Sequence, residues 1–194
     1  MTNKCYAMEE ITALLQQIKQ EFRSNMNGVA SARMREAGLG YHVNFGIELP
    51  RLQQIAREFS PNHQLAQQLW HENVRESKIM AALLMPTDNF TPELAELWAE
   101  QIPNAEIAQT TALFLYSRLP YATSLVFPWL ASPQPMMQLC GLLLATRLII
   151  QGSQFSERSL EELTDQAQSL ADSSNLHIRR AANNLHLRLE NDIH

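Results

Sequence analysis

The sequence has little glycine, little cysteine and no long hydrophobic run. It contains 6 glycines and 2 cysteines in 194 residues, and no apolar run approaches the roughly 20 residues of a membrane span. Cys5 and Cys140 are too few for a disulfide framework, so we interpret them as reduced thiols of a cytoplasmic protein. We expect no signal peptide and no membrane partner.

Positive charge is also scarce, since 15 basic residues stand against 20 acidic ones and give a net charge of −5. Between Ala81 and Ile150 the basic residues are Arg118 and Arg147 alone. A groove that follows DNA phosphates needs several cations per turn of the duplex. The overall balance therefore weighs against a DNA-binding protein, although a local basic surface on an acidic protein can still bind DNA.

Helix-forming sequence is abundant, and no segment alternates apolar and polar residues as a half-buried strand does. Apolar residues instead recur at helical spacing, and Pro, Asn, Ser or Thr precede many of these segments. The predicted helices cover about residues 8–24, 25–37, 49–59, 61–70, 74–85, 92–98, 103–116, 121–130, 136–150, 156–171 and 175–191. The fold class is therefore all-α, with short helices that pack as antiparallel pairs and stack into an array.

The stretch from Pro103 to Tyr116 carries the best candidate for chemistry. Asn104 gives a helix-start signal, and Glu106 and Gln109 lie three residues apart on one helical face. Glu106 is the only carboxylate between Glu100 and Glu157, which makes it the candidate for acid–base or charge-stabilising catalysis. The alternative is a solvated first-turn glutamate that the helix dipole favours.

Other catalytic patterns are missing from the sequence. His71-Glu72 begins like a zinc-protease motif, but Arg75 occupies the position of the second histidine. No glycine-rich phosphate loop and no nucleophile elbow occurs. We therefore expect neither a metal site nor a cofactor.

Several stretches, mostly in the first half, resemble the DNA alkylation repair family, the AlkD-like alkylpurine DNA glycosylases. The matching stretches are Tyr41-His42, Phe45-Gly46-Ile47, Leu49-Pro50-Arg51-Leu52, Leu69-Trp70, Arg75-Glu76, Ala81-Ala82-Leu83-Leu84 and, in the last helix, Arg179-Arg180-Ala181-Ala182. The resemblance runs from about Tyr41 to Arg188. It implies a HEAT-like α-superhelix with a concave, DNA-facing groove.

Members of that family excise positively charged N3- and N7-alkylated purines, with a carboxylate that stabilises the developing oxocarbenium charge. The family's Asn-Trp-Asp-x-x-Asp run matches residues 104–109 here. Ala105 replaces the tryptophan, and Gln109 replaces the catalytic aspartate. Because a glutamine side chain is neutral, Gln109 cannot supply the anion.

Two further departures affect positions that contact DNA or the lesion. The family's Trp-Arg-Arg-x-Ala stretch corresponds to residues 140–145, which carry no charge here. The tryptophan of the last helix corresponds to Asn184. Four functional positions therefore differ from the family's pattern at once.

We expect a divergent family member that binds duplex DNA, with or without alkylated bases, and whose glycosylase chemistry is lost or reduced. Two alternatives remain open: an active glycosylase that uses Glu106, with Gln109 at the catalytic position, and a HEAT-like scaffold for protein partners. The candidate DNA-binding residues are Arg33, Arg35, Arg51, Arg75, Lys78, Arg179 and Arg180. We expect a single domain over residues 1–194, with capping helices in 1–40 and the family-like array in 41–194. The oligomeric state is left open.

Overall fold

A computed structural model describes residues 2–192 of the chain, and the side chains of residues 8–190. Its α-helices are α1 Thr2–Ser24, α2 Gly28–Glu36, α3 Leu49–Ala56, α4 His63–His71, α5 Arg75–Leu84, α6 Pro92–Glu100, α7 Ala105–Phe114, α8 Ala122–Leu130, α9 Pro135–Ile150, α10 Glu157–Leu170 and α11 Leu176–Asp192. A 3₁₀ helix covers Tyr116–Arg118. Residues 2–192 contain no strand, and the all-α prediction is confirmed.

Asparagine caps begin several helices, as the sequence predicts. The side chain of Asn104 accepts a hydrogen bond from the Ile107 amide at 3.1 Å, which satisfies one unpaired donor of the first turn. The predicted start of α2 at Asn25 is wrong. Asn27 is the N-cap, because its side chain accepts from the Ala30 amide, while Asn25 still bonds the α1 carbonyl of Glu21.

Contacts group the chain into two compact units, the first ending at Asn89 and the second beginning at Phe90. In the first unit α5 packs against α3 and α4, and α1 packs against α4. Its largest fully buried side chains are Ile18, Phe22, Ile47, Leu52, Ile55, Leu65, Leu69, Trp70 and Ile79.

A buried ion pair at the start of α5 holds the loop that precedes α3. The Glu76 carboxylate accepts hydrogen bonds from the amides of Phe45 (3.0 Å) and Ile47 (3.3 Å). Arg75 donates through one Nη1 to the Ile47 carbonyl (2.7 Å) and to Glu76 (3.0 Å). Both side chains are buried, at 3% and 0% exposure, so each charge depends on these partners.

Gly46 lets the same loop approach the start of α2. Its φ of 70° lies in the left-handed region that favours glycine. A Cβ atom there would lie 2.2 Å from the Asn27 carbonyl oxygen and 2.5 Å from the Ser31 amide nitrogen. Both neighbours are backbone atoms, so neither can rotate away from the added Cβ as a flexible side chain could.

In the second unit α9 is the central helix. It packs against α6, α7, α8, α11 and the 3₁₀ helix. Gly141 allows a close approach to α8, since a Cβ at that position would lie 2.9 Å from the Leu130 amide nitrogen.

Cys140 on the same helix is buried, and burial raises the pKa of its thiol to about 12. Its thiol is therefore protonated near neutral pH, whereas the side chain of Cys5 lies outside the described residues.

None of the helices in the described part of the chain is long and apolar enough to cross a membrane.

We predict that Gly46→Ala destabilises the first unit by about 3 kcal/mol, because positive φ and overpacking each cost roughly 1–3 kcal/mol. Urea unfolding followed by circular dichroism measures the change. Gly40→Ala is the matched control, since a Cβ at Gly40 meets no atom within 4 Å. Equal stability of the two variants would contradict the proposed contact.

Candidate functional site

The first two turns of α7 present the candidate catalytic residues. The Asn104 cap places Glu106 in the first turn of α7, where its side chain is half-buried. Gln109 follows one turn later with an exposed side chain. The helix therefore directs Gln109, in the position of the family's aspartate, towards accessible space.

Gln109 lines a cleft formed by α7, α9 and α11. The cleft consists of two cavities of about 200 Å³ each, and both are lined by Gln109, Leu143 and Asn184. One end is completed by Ala105, Leu139, His177, Arg180 and Ala181. The other end is completed by Ala112, Leu113, Thr146, Arg147 and Ile150. We call this site the α7–α9–α11 cleft.

The cleft brings together residues from all four regions that the family resemblance singles out. Ala105 and Gln109 come from α7, Leu143 comes from the uncharged 140–145 stretch of α9, and Asn184 comes from α11. These residues therefore belong to a single site. A cationic ligand would meet aliphatic, amide and positively charged side chains there.

The charges that line the cleft are positive. Among the described residues no carboxylate lines either cavity, and Glu106 lies outside the lining set. The side chains with full positive charge are Arg147 and Arg180, one at each end. The Arg147 Nε is buried and donates to no acceptor in the described part of the chain.

Arg147 is a residue that sequence reasoning did not place in the site. Its position four residues after Leu143 puts both on one face of α9, so helical spacing could have linked it to the 140–145 stretch. Its burial and missing hydrogen-bond acceptor are visible only in the structure.

Four of the seven candidate DNA-binding cations are engaged in local contacts. Arg51 donates to the Asn25 side chain at 2.7 Å, and Arg179 donates to the Ser173 carbonyl at 2.9 Å. Both remain half-buried, so part of each guanidinium is accessible to a ligand.

Lys78 donates to the Trp70 carbonyl at 2.6 Å and lies 4.5 Å from the centre of its indole ring. Burial lowers the pKa of Lys78, and the hydrogen bond and the cation–π contact hold its ammonium against Trp70. Arg75 is buried with Glu76, which contradicts its assignment to a DNA surface. Its guanidinium supports the loop instead.

Arg33, Arg35 and Arg180 have exposed side chains. Arg33 and Arg35 lie in the last turn of α2 in the first unit, and Arg180 lies on α11 in the second. None of the three forms an ion pair with another described residue. They are the cations of the predicted set that are most available to an external anion.

No group of three or more metal-ligating side chains is formed within the residues that the structure describes. Glu72 of the His71-Glu72 pair forms an ion pair with Lys19 at 2.5 Å.

Comparison with known proteins identifies the family. The model of the DNA alkylation repair enzyme family matches residues 18–188, which is most of the chain. The chain therefore belongs to that family, and the resemblance noted in the sequence is confirmed. No curated protein matches it.

A solved structure shares the fold. It comes from "a new family of proteins related to the HEAT-like repeat DNA glycosylases with affinity for branched DNA structures", at 16% sequence identity and a TM-score of 0.78. The match covers 88% of this chain and 73% of that one. The predicted HEAT-like fold is thereby confirmed, while identity this low shows the fold alone.

We predict that Glu76→Gln lowers the free energy of unfolding by about 3 kcal/mol or more, because it leaves Arg75 buried without its counter-charge. Urea unfolding of the variant beside Glu58→Gln, whose side chain is exposed, measures this. An unaltered stability would show that the Arg75-Glu76 pair is not a structural support.

Proposed function

We propose that this chain is a divergent, non-catalytic member of its family that binds DNA through the groove implied by the family's fold. We further propose that it prefers branched DNA to continuous duplex. The proposal that the chain is non-catalytic rests on Gln109. Its neutral side chain lines the cleft at the position where the family's pattern places an aspartate.

Electrostatics supports the loss of glycosylase chemistry. Removing one preorganised group that stabilises transition-state charge typically costs about 10²–10³ in rate, and a neutral amide cannot replace the anion. The two arginines of the cleft also disfavour a cationic base. Two like unit charges about 4 Å apart repel by about 4 kcal/mol at an effective dielectric constant near 20.

Three observations support DNA binding. The chain belongs to a DNA repair family, and the structure with the same fold comes from proteins with affinity for branched DNA. Arg33, Arg35 and Arg180 present charges that can contact phosphates, which position a protein on DNA without reading its sequence. A protein that contacts the DNA backbone is better suited to recognising a DNA branch than a damaged base.

We predict that the protein releases no N7-methylguanine or N3-methyladenine from methylated duplex DNA, and that it binds a four-way junction more tightly than a duplex of the same length. Chromatography of released bases tests the first statement. Fluorescence anisotropy at two salt concentrations tests the second, because binding through phosphates weakens as salt rises.

Two variants, Glu106→Gln and Gln109→Asp, allow the base-release assay to distinguish an active glycosylase from a non-catalytic protein. Base release by the natural chain that disappears in Glu106→Gln would overturn the non-catalytic proposal and establish an active glycosylase. Release that appears only in Gln109→Asp would support it, since the change restores an anion. If the protein binds neither the four-way junction nor the duplex, the proposal of DNA binding is overturned and the protein-interaction scaffold is favoured.

A further inference from the structure

We propose that a groove along α1 docks an extended segment of a partner protein, one that carries apolar side chains between two basic ones. The groove lies in the first unit, between α1 and the turn that joins α3 to α4, and we call it the α1 groove. It encloses about 540 Å³, and its lining includes Glu10, Leu14, Glu21, Glu58, Phe59 and Leu65. It shares no lining residue with the α7–α9–α11 cleft, so this proposal goes beyond DNA binding and does not depend on it.

The core of the first unit fixes both walls of the α1 groove. Ile18 and Phe22 anchor α1, since both side chains are fully buried. On the other wall the Asn62 side chain accepts from the Leu65 amide at 3.0 Å and caps α4. The Asn62 amide in turn donates to the Leu84 carbonyl at 3.0 Å. The groove is therefore formed without a ligand, and its volume lies within the roughly 300–1,000 Å³ of ligand pockets.

Apolar side chains form part of the floor of the α1 groove. Leu65 is fully buried, while Leu14 and Phe59 are half-buried and keep part of their apolar surface accessible. Covering that surface with an apolar side chain of a ligand removes it from water, which is favourable. The floor therefore favours a ligand with an apolar centre.

Negative charges stand at both ends of this apolar surface. One face of α1 carries, at helical spacing, Glu10, Leu14, Gln17 and Glu21. A helix rises about 1.5 Å per residue, so the backbones of Glu10 and Glu21 are about 16 Å apart, with Leu14 between them. Glu58 adds a third carboxylate from the opposite wall.

These carboxylates are available to a cationic ligand. Glu10, Glu21 and Glu58 form no ion pair with another described residue, and no described Lys or Arg side chain lines the groove. Glu21 accepts a hydrogen bond from the Asn25 side chain at 3.1 Å, and a carboxylate can accept several more. The same charges repel DNA phosphates, so the complementary ligand is a basic one.

An extended peptide matches the spacing of the groove. A strand rises about 3.3 Å per residue, so basic side chains five residues apart are separated by about 16 Å. Apolar side chains between them can reach Leu14 and Phe59. A polyamine would instead place further charge over this apolar floor. Charge and apolar complementarity together therefore assign the α1 groove to a peptide segment.

The first test uses the peptide Lys-Ser-Leu-Phe-Ser-Lys, with both termini blocked so that the lysines are its only charges. It is titrated into the full-length protein by isothermal titration calorimetry at low salt. A second peptide, Lys-Ser-Ser-Ser-Ser-Lys, keeps the charges and removes the apolar centre. We expect saturable binding of the first peptide and at least about tenfold weaker binding of the second, because two apolar side chains are no longer buried.

The second test removes the charges of the groove. The combined variant Glu10→Gln/Glu21→Gln/Glu58→Gln should bind the first peptide about tenfold more weakly, since exposed ion pairs each contribute a factor of up to about five. Leu14→Gln should weaken binding of the first peptide and leave that of the second unchanged.

The matched control is a combined variant of three exposed carboxylates on α10, Glu157→Gln/Glu161→Gln/Glu162→Gln. It changes the net charge of the protein by the same amount and should bind the first peptide normally. Circular dichroism verifies the fold of each variant. If the groove variant loses helix, Leu14→Gln decides between the outcomes.

Weaker binding by the groove variants, with the α10 control unchanged, supports the proposal. No binding of the first peptide, or binding that the groove variants leave unchanged, overturns it. Equal binding of both peptides, or their displacement by an equal concentration of spermine, overturns the peptide assignment and indicates a site for any polycation. A dimer in light scattering that the groove variant converts to a monomer identifies a second copy as the occupant and overturns the partner segment. None of these results depends on whether the protein binds DNA.

Discussion

The second unit depends on the burial of α9. This helix is apolar on nearly every side, and α6, α7, α8 and α11 all pack against it. An apolar helix exposed to water would lose the free energy of burial along its whole length, so its neighbours must cover it. The positions of α7 and α11 are set by this requirement, and the cleft between them follows from core packing. A change in the residues that line the cleft can therefore alter its chemistry while the helices stay in place.

The chemistry of the cleft is set by the side chains that line it. Gln109 is neutral, and Arg147 and Arg180 are the lining side chains with a full charge. A site that stabilises positive charge needs anions and aromatic faces, and among the described residues neither a carboxylate nor a Phe, Tyr or Trp side chain lines this cleft.

The sequence predicted the fold well and the site in part. Apolar spacing and capping residues such as Asn104 are local signals, and they located the helices with small errors at their ends, as at Asn27. Family-like motifs identified Ala105, Gln109 and Asn184 as altered positions, and the structure places them on one cleft. Sequence reasoning misassigned Arg75 and overlooked Arg147, because burial and hydrogen-bond partners depend on tertiary contacts. A surface arginine and a buried one have the same sequence signal.

The two halves of the family resemblance carry different information. In the first unit the motif residues Gly46, Arg75 and Glu76 hold a loop against α2 and α5. These contacts would be needed whatever ligand the protein binds, so they show ancestry and fold but say nothing about chemistry. In the second unit the motif positions line an accessible cleft, where side chains are freer to change because few core contacts depend on them. The strong resemblance in the first unit and the departures in the second are therefore compatible, and the ligand has to be inferred from the cleft.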